Sequence, residues 1–237
     1  MPCKDINIYG FEPVKEAIEN NKPLKAVYLK RGKKSFEIRK IIRLCKEKNI
    51  PVIFKEKFYF KTQRRNYWIF AQISSVKILR DNFIEEEKIE EPIIFLYKIQ
   101  DPQNLGNIFR TSSAFGINYV ALTLEESAPI NEIVSRTSVG ALNFLKLALI
   151  KKPLIFLKKA KEIGFKIFSG TMEGVPIKRV DFPKKSVLIL GGEGKGIPRE
   201  IKEISDFLIS IPLKGSIKSL NVSTAGGILI YELQNKI

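Results

Sequence analysis

The sequence predicts an α/β protein: a mainly parallel sheet in the C-terminal part, preceded by a small α/β unit. Three observations carry this. Over residues 92–237 short strand-forming runs alternate with helical stretches, the pattern of parallel strands joined by crossover helices. Residues 7–80 show the same alternation on a smaller scale. Between them, residues 81–91 hold six acidic side chains and one basic one and little core material. A chain of 237 residues has material for two cores. The expected division is therefore 1–80, an acidic linker at 81–91, and 92–237.

Taken in order, Phe11 to Ile18 reads as a helix, Ala26 to Leu29 as a strand, and Ser35 to Lys48 as an amphipathic helix. Pro51 to Phe54 and Tyr67 to Ile73 read as further strands. After Pro92 the predicted strands are Ile93 to Ile99, Tyr119 to Leu124, Leu145 to Ile150, Phe165 to Phe168, Val187 to Leu190 and Phe207 to Ile211. Helices are predicted at Asn107 to Phe115, Pro153 to Ile163 and Val222 to Gln234. The sequence shows no internal repeat.

Charge narrows the function. Lys and Arg outnumber Asp and Glu by 41 to 25, a net +16. Residues 1–80 hold 20 basic and 7 acidic side chains, so the excess is concentrated at the front. Such a field attracts polyanions, and nucleic acid is the commonest available to a soluble protein. The chain has no histidine, so any chemistry runs without imidazole as base, metal ligand or neutral-pH switch. Cys3 and Cys45 are too few for a disulfide framework or a zinc site and fit a reducing cytoplasm. The apolar runs fall far short of the ~20 residues of a membrane helix, and no secretory signal is visible. The expected localisation is cytoplasmic.

Three blocks rich in glycine, asparagine and serine each follow or contain a strand, where α/β proteins place ligands. They are Asp101-Pro-Gln-Asn-Leu-Gly-Asn-Ile-Phe-Arg110, Leu190-Gly-Gly-Glu-Gly-Lys-Gly196 and Ile211-Pro-Leu-Lys-Gly-Ser-Ile-Lys-Ser-Leu-Asn-Val-Ser223. The second is not a P-loop, because Lys195 is followed by Gly196 and Ile197 rather than Ser or Thr. Nor does it have the Rossmann spacing, which would need a glycine where Ile197 stands. It supplies a backbone free of β-carbons beside the Glu193 carboxylate, or else a plain turn. Ser219 and Asn221 precede a helix, where they either shape a site or cap free N–H groups. Asn104 is expected on a loop and Arg110 one turn into a helix starting near Gly106, either pointing back toward the loop or standing as a surface charge.

In this order the blocks closely resemble the three motifs of the SpoU (TrmH-like) branch of the SPOUT methyltransferases. The residues that carry the resemblance are Asp101-Pro102, Asn104, Gly106 and Arg110, then Leu190 to Gly194, then Ile211-Pro212 and Ser219 to Ser223. Residues 9–17, through Tyr9-Gly10 and Val14-Lys-Glu-Ala17, also resemble the substrate-binding domain that precedes the catalytic domain in an rRNA-type subgroup. Where that domain often has a His-Gln-Gly turn, this chain has Gln63-Arg-Arg-Asn66.

The resemblance implies a deep trefoil knot, a homodimer, and S-adenosylmethionine as cofactor. It implies a cofactor site at Thr171, Gly191, Gly192, Glu193, Gly194, Ile211, Pro212, Leu213, Ser219 and Leu220. The implied reaction is methylation of a ribose 2′-hydroxyl in RNA, with Asn104, Arg110, Glu193, Ser219 and Asn221 in the catalytic set. Because a guanidinium is a poor proton acceptor, Arg110 is read as a clamp on phosphate and the developing alkoxide, oriented by Asn104. Glu193 is read as an anchor for the motif loops or the arginine. Lys33, Lys34, Arg64 and Arg65 are the expected RNA contacts of the front domain.

The acceptor favoured is a guanosine in large-subunit rRNA, since compact tRNA enzymes of the family usually lack the front domain. A D-loop guanosine of tRNA, resistance-type methylation of an antibiotic-binding rRNA site, and a non-catalytic RNA-binding or ribosome-assembly protein are the alternatives. Neither a metal, a membrane nor DNA is expected as partner.

Overall fold

A four-stranded and a seven-stranded sheet carry the chain. The computed structural model describes residues 6–22, 24–33, 35–58, 67–73, 78–194, 196–217 and 219–237. In chain order the front elements are β1 (Ile6–Tyr9), α1 (Phe11–Glu19), β2 (Leu24–Lys30), α2 (Phe36–Glu47), β3 (Val52–Lys55) and β4 (Ile69–Ile73). Then follow β5 (Ile78–Leu79), α3 (Phe83–Glu86), β6 (Ile93–Tyr97), α4 (Pro102–Ala114), β7 (Tyr119–Thr123) and α5 (Glu132–Thr137). The remainder is β8 (Lys146–Ile150), α6 (Pro153–Glu162), β9 (Lys166–Pro176), β10 (Ser186–Gly191), α7 (Arg199–Ile204), β11 (Phe207–Ser210) and α8 (Val222–Asn235).

These elements fall into two units. The first comprises Met1–Val76 with Ile130–Asn143, the second Lys77–Pro129 with Phe144–Ile237. In the first, the strand order is β1-β4-β2-β3, antiparallel except for the β2–β3 pair. Alternation along β2 and β4 sends Val27, Leu29, Ile69 and Ala71 into the core, where they meet Val14, Ala17 and Ile18 of α1 and Ile38, Ile41 and Cys45 of α2. Ser35 starts α2 as its cap, accepting from the Ile38 N–H at 3.2 Å.

Residues 130–143, expected within the C-terminal domain, instead complete this first unit. Ser135 of α5 donates its hydroxyl to the Asn7 carbonyl at 2.6 Å, and Asn143 donates its amide to the Pro13 carbonyl at 3.4 Å. Burial pushes the Tyr9 hydroxyl up to about 12, with Asn7, Glu132 and Arg136 as its polar neighbours. Tyr9 is thus a neutral phenol at neutral pH.

The second unit has the strand order β11-β9-β10-β6-β7-β8-β5, every pair parallel. Its central strands are apolar throughout: β6 and β10 bury Ile93 to Leu96 and Val187 to Leu190, as a sheet covered on both faces requires. At the outer edge β9 runs on to Pro176, well past the expected Phe168, because Gly174 lets the Leu208 carbonyl of β11 approach within 2.5 Å of where a Cβ would stand.

The acidic stretch 81–91 is not a linker. Phe83, Ile84 and Ile89 are buried in the core of the second unit. Its glutamates meet basic and polar partners there: Glu85 faces Lys159 at 3.3 Å, Glu87 accepts from Tyr119 at 2.9 Å and Lys146 at 3.2 Å, Glu90 faces Lys185 at 2.8 Å, and Glu91 accepts from Asn118 at 2.6 Å. Three apolar side chains among acids matched to nearby bases suffice to dock the segment.

Among the described residues, no helix is long and apolar enough to cross a membrane.

Candidate functional site

The C-terminal ends of β6 and β10 stand side by side beside the middle of β9, with Gly191 opposite Tyr97 and Leu190 opposite Gly170. The turn that leaves β10, residues 170–172 of β9 and the segment from Ile211 to Asn221 enclose a cleft of about 690 Å³ against one face of α8. That volume suits a cofactor-sized molecule.

The floor is bare backbone. Gly192 donates its N–H to the Tyr97 carbonyl at 2.8 Å, and a Cβ on Gly192 would overlap the Lys98 carbonyl oxygen. A Cβ on Gly191 would lie 2.6 Å from the Gly196 carbonyl carbon. The loop closes on itself through the Gly196 N–H to the Gly192 carbonyl at 3.2 Å, with Gly196 at a φ of +60°, open to glycine at little cost. Gly191, Gly192, Glu193 and Gly194 all line the cleft. The glycines are therefore close-approach positions as well as a turn.

Glu193 ties this loop to the first motif. Its Oε1 accepts from the Asn104 amide at 2.6 Å and its Oε2 from the Gln100 N–H at 3.4 Å. Asn104 is 6 % exposed, so the carboxylate also satisfies a polar group that would be costly to bury alone. Asn104 lies in a helix rather than a loop: α4 begins at Pro102, with Asp101 as cap accepting from the Gln103 N–H at 2.9 Å.

This earlier start changes where Arg110 points. Six residues along a helix turn the side chain through about 240°, so Asn104 faces Glu193 while Arg110 stands exposed on the other side of α4. Arg110 does not line the cleft, and among the described residues no bond joins it to Asn104.

The rim comes from the third motif and from β9. Ile211, Leu213, Ser219, Leu220 and Asn221 line it, as do Thr171 and Met172. Pro212 is exposed and off the lining. The Thr171 hydroxyl donates to the Glu173 carbonyl. Asn221 does cap α8, its Oδ1 accepting from the Ser223 N–H at 2.8 Å and hydroxyl at 2.7 Å, while Ser219 is exposed and makes no such cap.

Several lining residues escaped the sequence reading. Gly170 has its Cβ direction filled by Leu229 at 2.8 Å. Val222, Ala225 and Leu229 form one face of α8, a spacing visible in the sequence but indistinguishable from ordinary core. Lys202 of α7 is the single cation among the described lining residues. Gly226 brings α8 close to Leu190 and to Ile108 of α4, 2.8 and 3.6 Å from a built Cβ.

The cleft thus offers, among the described residues, close-packed glycine backbone, apolar walls at Leu190, Ile197, Leu220 and Leu229, one anchored carboxylate and one ammonium. Among the described residues no group of three or more acidic, cysteine or histidine side chains could hold a metal ion. In the first unit Lys33 is exposed, its Nζ 4.7 Å over the Trp68 ring. Lys34, Arg64 and Arg65 lie outside the described residues.

A model of the SpoU rRNA methylase family matches residues 91–231, and so spans all three motifs. The chain belongs to that family. A second model, for the substrate-binding domain of RNA 2′-O ribose methyltransferases, matches residues 7–66. An uncharacterized tRNA/rRNA methyltransferase of Borreliella burgdorferi is 36% identical over 219 residues, 86% of this chain and 96% of the relative.

Among solved structures, the AdoMet-bound rRNA methyltransferase of Sinorhizobium meliloti matches with a TM-score of 0.80 at 21% identity, covering 98% of this chain and 87% of its own. The TrmH/SpoU tRNA modifying enzyme of A. aeolicus is 34% identical, with a TM-score of 0.57 over 62% of this chain and 76% of its own. The α/β fold expected for a SpoU protein, a parallel sheet preceded by a small α/β unit, is the one the Sinorhizobium meliloti structure shares over 98% of this chain.

Proposed function

We propose that this SpoU protein transfers the methyl group of S-adenosylmethionine to a ribose 2′-hydroxyl in RNA, with a guanosine of large-subunit rRNA as acceptor. The observation that carries the reading is the Asn104–Glu193 bond, which joins two of the three family motifs through the loop that floors the cleft, whose rim the third motif completes.

The residues present fit the cofactor. Gly194, with open space where a Cβ would stand, leaves room for an adenine and ribose, the leucine walls suit the flat base, and Glu193 and Lys202 match the opposite charges of a methionine tail. The chemistry supplied by bound S-adenosylmethionine is an electrophilic sulfonium methyl. The protein's part would be to hold the ribose hydroxyl against that methyl group, a positioning worth roughly 7 to 11 kcal/mol. With no histidine in the chain, the hydroxyl proton would pass to RNA phosphate or water. Glu193 and Asn104 lock the floor to α4, Ser219 and Asn221 shape the acceptor side, and Arg110 clamps phosphate and the developing alkoxide.

Arg110 stands outside its own cleft, which supports a homodimer as the working unit. Phe115, just past the end of α4, packs edge-on against Tyr231 of α8, 5.4 Å between ring centres. Ile228 and Tyr231 of α8 remain 37% and 48% exposed. A dimer formed across this α4–α8 face would cover them and carry Arg110 toward the cleft of the second copy. Mixing an Arg110→Ala chain with a Gly192→Val chain should then restore activity, because each hybrid keeps one intact site. No restoration would return Arg110 to its own subunit or remove it from the reaction.

The matched front domain favours rRNA over tRNA, as does the extent of the structural likenesses: the rRNA enzyme covers 98% of the chain, the tRNA modifying enzyme 62%. Labelled methyl transfer to unmodified large-subunit rRNA fragments and to tRNA tests this. Label in rRNA alone is expected. Label in tRNA alone would overturn the acceptor, and cofactor binding with no transfer to RNA or to ribosomal particles would favour a non-catalytic RNA-binding protein.

A further inference from the structure

Phe36, the first residue of α2, is 76% exposed, an unusual position for a ring that a folded domain ordinarily covers. Its neighbours are cations. Arg39 and Lys40 follow three and four residues on, and therefore share its side of the helix; Arg39 is exposed and Lys40 half-buried. Lys33 precedes it across the turn, its ammonium held 4.7 Å over the Trp68 ring, and Trp68 is itself backed by Phe11 at 6.3 Å and 23°. Glu37 is the acid beside the ring, and Arg43, a turn further along, is engaged by Glu47 at 2.9 Å.

An exposed aromatic ring flanked by cations grips single-stranded nucleic acid: the ring takes a base face and the cations take phosphates. A duplex offers the phosphates but keeps its bases stacked. We propose that Phe36 stacks an unpaired nucleotide of the RNA acceptor while Lys33 and Arg39 hold the flanking phosphates. The acceptor is then a loop or bulge rather than a continuous helix. Trp68 is a positioning residue, fixing Lys33 by a cation–π contact before RNA arrives. The excess of 20 basic over 7 acidic side chains in residues 1–80 supplies the matching field. This inference rests on the reading that RNA is the substrate.

The chain's single tryptophan is Trp68, so fluorescence reports on this patch directly. The full chain is titrated with a hairpin RNA carrying an unpaired loop and with a blunt RNA duplex of matched length. The hairpin should quench Trp68 and bind more tightly than the duplex. Phe36→Ala should weaken the hairpin about tenfold, within the range for one stacked base, leave the duplex unchanged and preserve the melting temperature; Phe36→Tyr should keep wild-type affinity. Hairpin binding by Phe36→Ala equal to wild type, with salt-sensitive binding intact, would overturn the stacking role while sparing the RNA reading. Failure of the wild-type chain to bind either RNA would overturn both. Loss of binding to anionic phospholipid vesicles in Phe36→Ala, with hairpin affinity unchanged, would assign the ring to a membrane surface instead.

Discussion

The two loops that enclose the cleft are built in opposite ways. Gly191 and Gly192, where β10 ends, are packed backbone against backbone, and the loop they begin is closed by its own hydrogen bond and tied to α4 through Glu193. The segment from Ile211 to Asn221, after β11, is mostly exposed: Leu213 at 40%, Ile217 at 75% and Leu220 at 37%. The first is held by close contact that a single methyl group would prevent, while the second leaves most of its side chains to solvent. A close-packed floor beneath an exposed rim suits a site that fixes one ligand and admits a second, larger one.

That contrast is sharpest at Gly192. Valine there would drive a side chain into the Lys98 carbonyl, so we expect calorimetry to register no S-adenosylmethionine binding and the melting temperature to fall. Full binding by Gly192→Val would break the comparison outright.

Next in size is the tie between motifs. Asn104→Ala removes the 2.6 Å bond to Glu193, and Glu193→Ala leaves Asn104 buried without its described partner. Each should cost about 1 to 3 kcal/mol of stability and depress kcat. Their double-mutant cycle should show strong coupling, and additive losses would mean the bond does not join the loops energetically.

Smaller effects belong to the rim. Asn221→Ala loses the cap of α8 and should cost about 1 kcal/mol in chemical denaturation, with Asn221→Ser recovering most of it. Activity lost in Asn221→Ala but not recovered in Asn221→Ser would point to a contact with ligand as well. At the tip, Ile217→Ser should change stability by no more than about 0.5 kcal/mol. A larger loss would mean that the rim is packed as tightly as the floor.

What was legible in the sequence follows the same division. Strands such as β6 and β10 were plain because four consecutive apolar residues bounded by glycine or proline leave few other readings. The Gly-Gly-Glu-Gly run could be recognised as close approach, yet which carbonyl it approaches depends on Lys98, more than ninety residues earlier. The start of α4 was misread although the signal was present: Asp101 followed by Pro102 is a cap and first-turn pair, but Asp-Pro-Gln-Asn also resembles a turn. The docking of 81–91 was hidden because glutamates outnumber the three apolar residues that anchor it. The transfer of residues 130–143 to the first unit had no local signature, since it rests on contacts with Asn7 and Pro13.

The most direct test of the central claim is where the methyl group goes. RNA labelled by the chain with S-adenosylmethionine is hydrolysed in alkali, which cleaves only where a 2′-hydroxyl is free. Ribose methylation predicts that label remains in an alkali-resistant dinucleotide. Label released in mononucleotides would put the methyl on a base and contradict the account.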